Sequence, residues 1–406
     1  MKKLLLFLLF ICQCSFAQDA FHIKSFQFER TKESVIPIFR LGESIEFSFD
    51  DLLGTEIDYS YRLTHYSHDW KPSNLKRTEY IQGNEWVRLR NLKNSFNTLQ
   101  MYTHYSERLP NSYQRILISG NYMLEIVNAD EEVILKRKLI VYEELVSVGL
   151  EAKRMRNLEQ ATQKQNLYIT IDLGSSLLQN PNQYMHMVLM QNGQFFNVIN
   201  DVKPQFNLGN QIKYQYDNET SFYAGNEFLF FDNSDIRFTS NTVAKVEANE
   251  LYQSFLFPDQ PRAKLGYTFF QDLNGAFYPS IRYRSDEVKS TEADYAWVYF
   301  SLDTPPQKDP IYVGGMFNNY HFTDEFKMEF NKETNRYELA TLIKQGFTNY
   351  NYYVKKEGEI SFADSLDGNF VETENIYHAL VYYRAPIDRY DRIIGMGSVQ
   401  AINVTN

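Results

Sequence analysis

Three groups of residues in this 406-residue chain have types and spacings that could do chemistry. In "THYSHDW", His65 and His68 lie three apart with Asp69 adjacent. Two imidazoles at that spacing hold zinc when they share a helix face. The flanking alternation reads as a strand ending in a turn, and within a strand positions i and i+3 point to opposite faces. His65 and His68 are therefore expected to be hydrogen-bonding histidines, not a metal pair. In "GNEFLFFDN", Glu227 and Asp232 are the best candidates for paired carboxylates of the kind glycosidases use. Their position flanking a short apolar run reads instead as a strand end and a turn. The third group is "YVGGMFNNYHF" (312–322), where a strand-like run meets two glycines and a Phe-Asn-Asn-aromatic turn.

The other histidines, His22, His104, His186, His321 and His378, are scattered. No serine lies in a G-x-S-x-G elbow, and no G-x-x-x-x-G-K-[ST] or H-E-x-x-H occurs. No catalytic residue, cofactor or metal site is expected, and the chain is not expected to be an enzyme.

The first residues, "MKKLLLFLLFICQCSFAQDA", have the charge of Lys2 and Lys3, an apolar stretch Leu4 to Ile11, and a small-x-small site Ser15-Phe16-Ala17. This pattern predicts a secretory signal peptide over 1–17. Both cysteines, Cys12 and Cys14, fall inside it. The mature chain is then expected to have no disulfide and no thiol chemistry, and no lipid anchor. Export with such a leader points to the periplasm. Without Lys2 and Lys3, 39 Lys+Arg stand against 51 Asp+Glu, a net charge of −12. An acidic surface argues against nucleic acid and anionic membranes as partners. No later apolar run reaches the roughly 18 residues of a membrane-spanning helix, and direct membrane insertion is not expected.

The elements that must position these groups are strands. Period-2 alternation dominates: Ile45, Phe47 and Phe49 oppose Glu46 and Ser48, and Tyr59, Tyr61 and Leu63 oppose Ser60, Arg62 and Thr64. Asn128-Ala129-Asp130-Glu131 reads as a hairpin turn, and Asn192-Gly193 and Asn274-Gly275 are two-residue hairpin signals. The polar stretch 151–166 reads as a short helix, a linker or a crossover. Trp297 sits in an alternating strand and is expected in the core. Tyr350, Tyr352 and Val354 share one face of a strand, with Asn349, Asn351 and Tyr353 on the other. The expected fold is all-β, three tandem antiparallel β-sandwich domains of immunoglobulin-like or early-set-like type, at 18–145, 146–290 and 291–406.

Two resemblances rest on these residues. "YVGGMFNNY…YELATLIKQGFTNYNYYVKKEG" resembles the early-set sandwich of glycogen- and starch-binding proteins. Gly315, Phe317-Asn318-Asn319, Tyr350, Tyr352 and Gly358 match that pattern. Tyr320 stands where the family has a tryptophan platform, and Met316 where it has an aspartate, so glycan binding is not expected. "LTHYSHDWKPSNLKRTEYIQG", "NTLQMYTHYSERLPN", "SGNYMLEIV", "MQNGQFFNVINDVKPQF", "YDNETSFYAGNEFLFFD" and "NIYHALVYYRAPIDRYDRIIG", in that order, resemble the plug protein family of the type IX secretion system of Bacteroidetes. The resemblance implies a periplasmic, non-enzymatic protein that docks on the large outer-membrane β-barrel translocon and closes its periplasmic opening. A periplasmic glycan-binding protein is the alternative. Tyr320 and His321, in the turn after Phe317, are the expected partner contacts.

The leader assignment predicts a mature chain that starts at Gln18. Intact-mass measurement of the exported protein should show loss of residues 1–17 and no added lipid mass.

Overall fold

The computed structural model describes residues 19–30, 33–176, 178–285, 288–402 and 404. The expected leader lies outside the described residues. The described chain is almost entirely strands, with only single-turn helices between them. None of its helices is long and apolar enough to cross a membrane.

The first sandwich follows directly from the alternation. One sheet runs in the order Glu33–Ser34, Ile23–Arg30, Ile45–Asp51, Thr103–Leu109, Asn91–Asn94. The facing sheet runs Ile38–Arg40, Val133–Tyr142, Gly120–Val127, Ser60–Tyr66, Val87–Arg88. Ile45, Phe47 and Phe49 point inward and meet Tyr59, Tyr61 and Leu63 from the other sheet. Phe49 stacks on Tyr105 at 5.2 Å, and Phe47 meets Tyr61 edge-on at 5.6 Å. Each such buried ring contributes about 1.5–3 kcal/mol. The turn at Asn128–Glu131 joins Gly120–Val127 to Val133–Tyr142 as a hairpin, as expected.

The remaining two sandwiches are not laid out in chain order. In the second, Ser147–Arg154, Lys164–Asp172, Gln211–Tyr214 and Phe206–Leu208 form one sheet. The other sheet is Val198–Asn200, Met185–Gln191, Asn375–Tyr383 and Arg392–Ala401. Its last two strands come from the far end of the chain. The third sandwich is the segment between them. Gly346–Lys356 pairs with Leu229–Asp232, Phe277–Pro279, Ile311–Gly314 and Glu359–Ile360. The opposite sheet is Val243–Ala248, Tyr252–Leu256, Tyr295–Leu302, Arg336–Lys344 and Glu329–Asn331. Strand pairing thus departs from expected boundaries at 290 and 291: strands at 229–279 belong with the third core, and strands at 375–401 with the second.

Three local expectations change. The polar stretch 151–166 is a strand, a turn and a second strand, because Ser147–Arg154 pairs along its length with Lys164–Asp172. Asn274-Gly275 adopts the left-handed turn, but the strand after it pairs with Gly346–Lys356, so it closes no local hairpin. Trp297 lies on the outer face, half-buried, because Val298, Phe300 and Leu302 take the inward positions.

Each sandwich touches both of the others. Ile38 and Ile140 of the first share an apolar cluster with Val188, Met190, Leu380, Tyr382 and Ile393 of the second. Phe196 of the second sits among Tyr320, Phe322, Tyr353 and Phe362 of the third. First and third meet through a buried ion pair. Asp50 Oδ2 accepts from Lys344 Nζ at 2.6 Å and from the Tyr295 hydroxyl at 2.6 Å, and Asp50 Oδ1 lies 2.7 Å from His104 Nδ1. Lys344 also lies 4.4 Å from the centroid of the Tyr102 ring. Burial alone would raise the Asp50 carboxyl, but Lys344 and His104 outweigh it and hold it below the usual carboxylate range.

Removing one member of a buried pair strands the other charge, which costs about 3–5 kcal/mol. Asp50→Ala is therefore expected to lower the urea midpoint clearly, and Asp50→Leu with Lys344→Met to recover part of the loss. The contribution of Asp50 is complete above its unfolded pKa of about 3.9. It is lost as pH falls through the depressed folded value. The wild-type advantage over Asp50→Ala should hold at neutral pH and shrink in acid, which midpoints measured across pH will show.

Candidate functional site

The 312–322 segment is built by its own side chains. Ile311–Gly314 pairs with Gly346–Lys356. Asn318 then fixes the turn: its Oδ1 accepts from the Gly315 and Tyr320 amides at 3.1 Å, and its Nδ2 donates to the Val313 carbonyl at 3.1 Å. A Cβ at Gly315 would lie 2.5 Å from the Asn349 carbonyl oxygen, so the close strand approach requires glycine. Asn319 and Tyr320 are both left-handed, at φ 50° and 54°. Tyr350 and Tyr352 enter the third core, and their hydroxyls donate to Asp259 Oδ2 at 2.7 and 2.6 Å.

Tyr320 is not a free platform. Phe196 of the second sandwich covers it at a centroid distance of 5.3 Å, Tyr353 flanks it at 6.2 Å, and its hydroxyl is buried. His321 is half-buried against the first sandwich, with Nδ1 3.5 Å from Asp19 Oδ2. Burial, assisted by the Arg137 guanidinium and opposed by Asp19, lowers its pKa to about 4. Tyr320 and His321, the expected partner contacts, both take part in junctions within the chain.

The other candidates also separate. His65 is the third inward residue of Ser60–Tyr66, wedged among Tyr80, Tyr122 and Tyr390, with Nε2 3.3 Å from the Ser119 carbonyl. His68 points away from it, onto Asp391 and His186 of the second sandwich. Glu227 is buried and accepts from the Tyr267 hydroxyl at 2.5 Å and the Glu374 amide at 3.1 Å. Burial, opposed by these two bonds and assisted by Asp272 and Glu374, raises its pKa to about 6. Asp232 caps a turn by accepting from the Ser234 amide at 2.8 Å. The two carboxylates share no partner among these bonds. The cleft between the second and third sandwiches is lined by amides that satisfy one another. Gln191 and Asn192 both donate to Asn375 Oδ1, at 2.9 and 2.8 Å. Such a network fixes a junction.

The alternation could not reveal what the loops expose. At one end of the first sandwich, Leu53, Phe96, Leu99 and Met101 are 53%, 72%, 50% and 68% exposed. Their loops are neighbours: Gln100 Nε2 donates to the Leu52 carbonyl at 3.1 Å, and a Cβ on Gly54 would lie 3.1 Å from the Met101 Cβ. Clustered exposed apolar side chains mark a contact surface more often than scattered ones do. The sequence signal for this cluster was present in "NSFNTLQMY", where apolar residues sit among polar ones without a strand period.

Comparison with known proteins fits this architecture. Residues 23–143 match the family model described as "Type 9 secretion system plug protein 1st domain". The match spans the first sandwich. A solved crystal structure of a hypothetical protein from Parabacteroides merdae is 29% identical with a TM-score of 0.89. The alignment covers 94% of this chain and 98% of that one, so all three sandwiches and their arrangement are shared. The partial N-terminal region of an enterococcal surface protein is 6% identical, with a TM-score of 0.19 over 95% of this chain and 96% of that one. Escherichia coli alpha-2-macroglobulin is 9% identical, with a TM-score of 0.17 over 94% and 22%. No curated protein matches the chain.

A covered Tyr320 cannot stack on a sugar ring. Calorimetry with maltoheptaose should show no affinity tighter than about 1 mM, or about −4 kcal/mol. Micromolar binding that vanishes in Tyr320→Ala would favour the glycan-binding alternative.

Proposed function

We propose that this chain is a non-enzymatic periplasmic plug that docks on the large outer-membrane β-barrel translocon of the type IX secretion system and occludes its periplasmic opening. The observation that carries this reading is the family match over residues 23–143. The structure adds a physical rationale. A plug must span an opening far wider than one side chain and must not deform under load. Three sandwiches, each braced on the other two, provide a wide, stiff body. Tyr320 and His321 brace that body from within. The docking contact is assigned instead to the exposed tip of the first sandwich, Leu53, Phe96, Leu99 and Met101. Phe96 offers a large ring with few rotamers, and a few such anchors dominate most interfaces. A stable seal should bury on the order of 1,200–2,000 Å² or more.

In a strain with an intact translocon, deleting the gene should make the outer membrane permeable to large antibiotics such as vancomycin. The chain should co-purify with the barrel. The triple variant Leu53→Asp, Phe96→Asp, Met101→Asp should retain wild-type circular dichroism and lose most of that co-purification, by about tenfold or more. A sealed deletion strain, with a barrel that purifies without this chain, overturns the plug reading. Undiminished co-purification of the triple variant overturns the assigned contact alone.

A further inference from the structure

We propose that His68, His186 and Asp201 form a binding site for one divalent transition-metal ion that clips the first sandwich to the second. The three residues are far apart in sequence and converge across the junction. His68 lies in the turn after Ser60–Tyr66 of the first sandwich. His186 lies on Met185–Gln191 of the second, and Asp201 follows Val198–Asn200, which pairs with that strand. One potential ligand atom from each falls within 4.8 Å of the other two. His186 Nδ1 is 2.7 Å from Asp201 Oδ1, and His68 Nε2 is 3.8 Å from the same oxygen. The two imidazoles lie face to face, 4.4 Å between centroids and 17° between planes.

The support behind His68 is what a metal ligand requires. Its Nδ1 lies 3.2 Å from Asp391 Oδ2, and the same oxygen accepts the His68 backbone amide at 2.9 Å. The Asp391 side chain is only 4% exposed, so it is a fixed acceptor. Nδ1 donates to Asp391, and Nε2 is the ring atom that faces Asp201. A carboxylate behind one ring nitrogen orients a ligating histidine and raises its basicity. Asp201 and Asp391 also place two negative charges at the site, with Arg384 3.9 Å from Asp391 on its far side.

Two imidazoles and one carboxylate suit zinc or a similar borderline ion, with water completing the shell. Ligands at roughly 2.0–2.1 Å from one ion lie about 3.4 Å apart. Reaching that spacing takes a shift of roughly 0.7 Å apart for His186 Nδ1 and Asp201 Oδ1, now 2.7 Å, and of roughly 0.4 Å together for His68 Nε2 and Asp201 Oδ1, now 3.8 Å. Asp201 can supply it, because its side chain is 49% exposed and its backbone is in a left-handed turn at φ 56°. The position of His186 in a regular strand keeps the second ligand in place.

The test uses the full mature chain, without an affinity tag and stripped with chelator. Titration with zinc chloride by calorimetry, and with cobalt chloride by visible absorption, should give one ion per chain with a dissociation constant tighter than roughly 100 µM. Zinc should raise the thermal midpoint of the wild type. His186→Ala and Asp201→Asn, both at sites open to solvent, should each weaken binding at least tenfold and abolish the thermal shift. Asp391→Asn touches no ion and should still weaken binding by about 10–100-fold. The proposal is overturned if no saturable binding appears below that concentration. It is equally overturned if His186→Ala and Asp201→Asn, shown folded by circular dichroism, bind zinc as the wild type does.

Discussion

The salt bridge between Asp50 and Lys344 is the contact on which the arrangement of this molecule depends. Both charges are buried, on strands of different sandwiches, 294 residues apart in the chain. A buried pair of this kind adds little net stability, because desolvation consumes most of the Coulomb gain. What it supplies is register. Only one placement of the third sandwich on the first lets Asp50, already held by His104 of its own sheet, reach Lys344 and Tyr295 together. Any slip leaves a naked charge in an apolar setting. Around it, the Leu99 and Gln100 amides donate to Asp294 at 2.6 and 3.1 Å, and the Tyr102 hydroxyl donates to the Ala293 carbonyl at 2.8 Å.

The other two junctions work differently and close the assembly. The first and second sandwiches meet over aliphatic side chains, with backbone bonds such as Leu145 to Ile394 at 2.8 Å continuing the contact. Phe196 anchors the second to the third by inserting into a ring of aromatics. The two crossings of the chain between the second and third sandwiches make this arrangement hard to unlink. A body braced at three junctions resists bending in every direction. That property suits the occlusion proposed above.

The sandwich cores were legible because their physics is local. Alternation at 45–49 and 59–63 correctly assigned inward faces, and the Asn-Asn turn at 318–319 was visible as a turn. The junctions were not legible, for a definite reason. Asp50 falls on the face of its strand that alternation assigns to water, and that assignment fails because a second sandwich covers it. Tyr320 and His321 read as outward-facing partner contacts for the same reason. His68 could be paired on paper only with His65, its neighbour in sequence. Its partners in space, His186 and Asp201, are more than a hundred residues away and belong to another sandwich. The return of 375–401 to the second sandwich is likewise a long-range pairing with no local signal.

The central claim is that the three sandwiches behave as one stiff body before any partner binds. Hydrogen exchange of the isolated chain tests it most directly, because junction amides report local opening separately from core unfolding. The account predicts that peptides covering 94–102, 142–148 and 388–395 exchange nearly as slowly as the core peptide 120–127. Junction peptides that exchange within seconds, while 120–127 stays protected for hours, would show three loosely tethered sandwiches and contradict it.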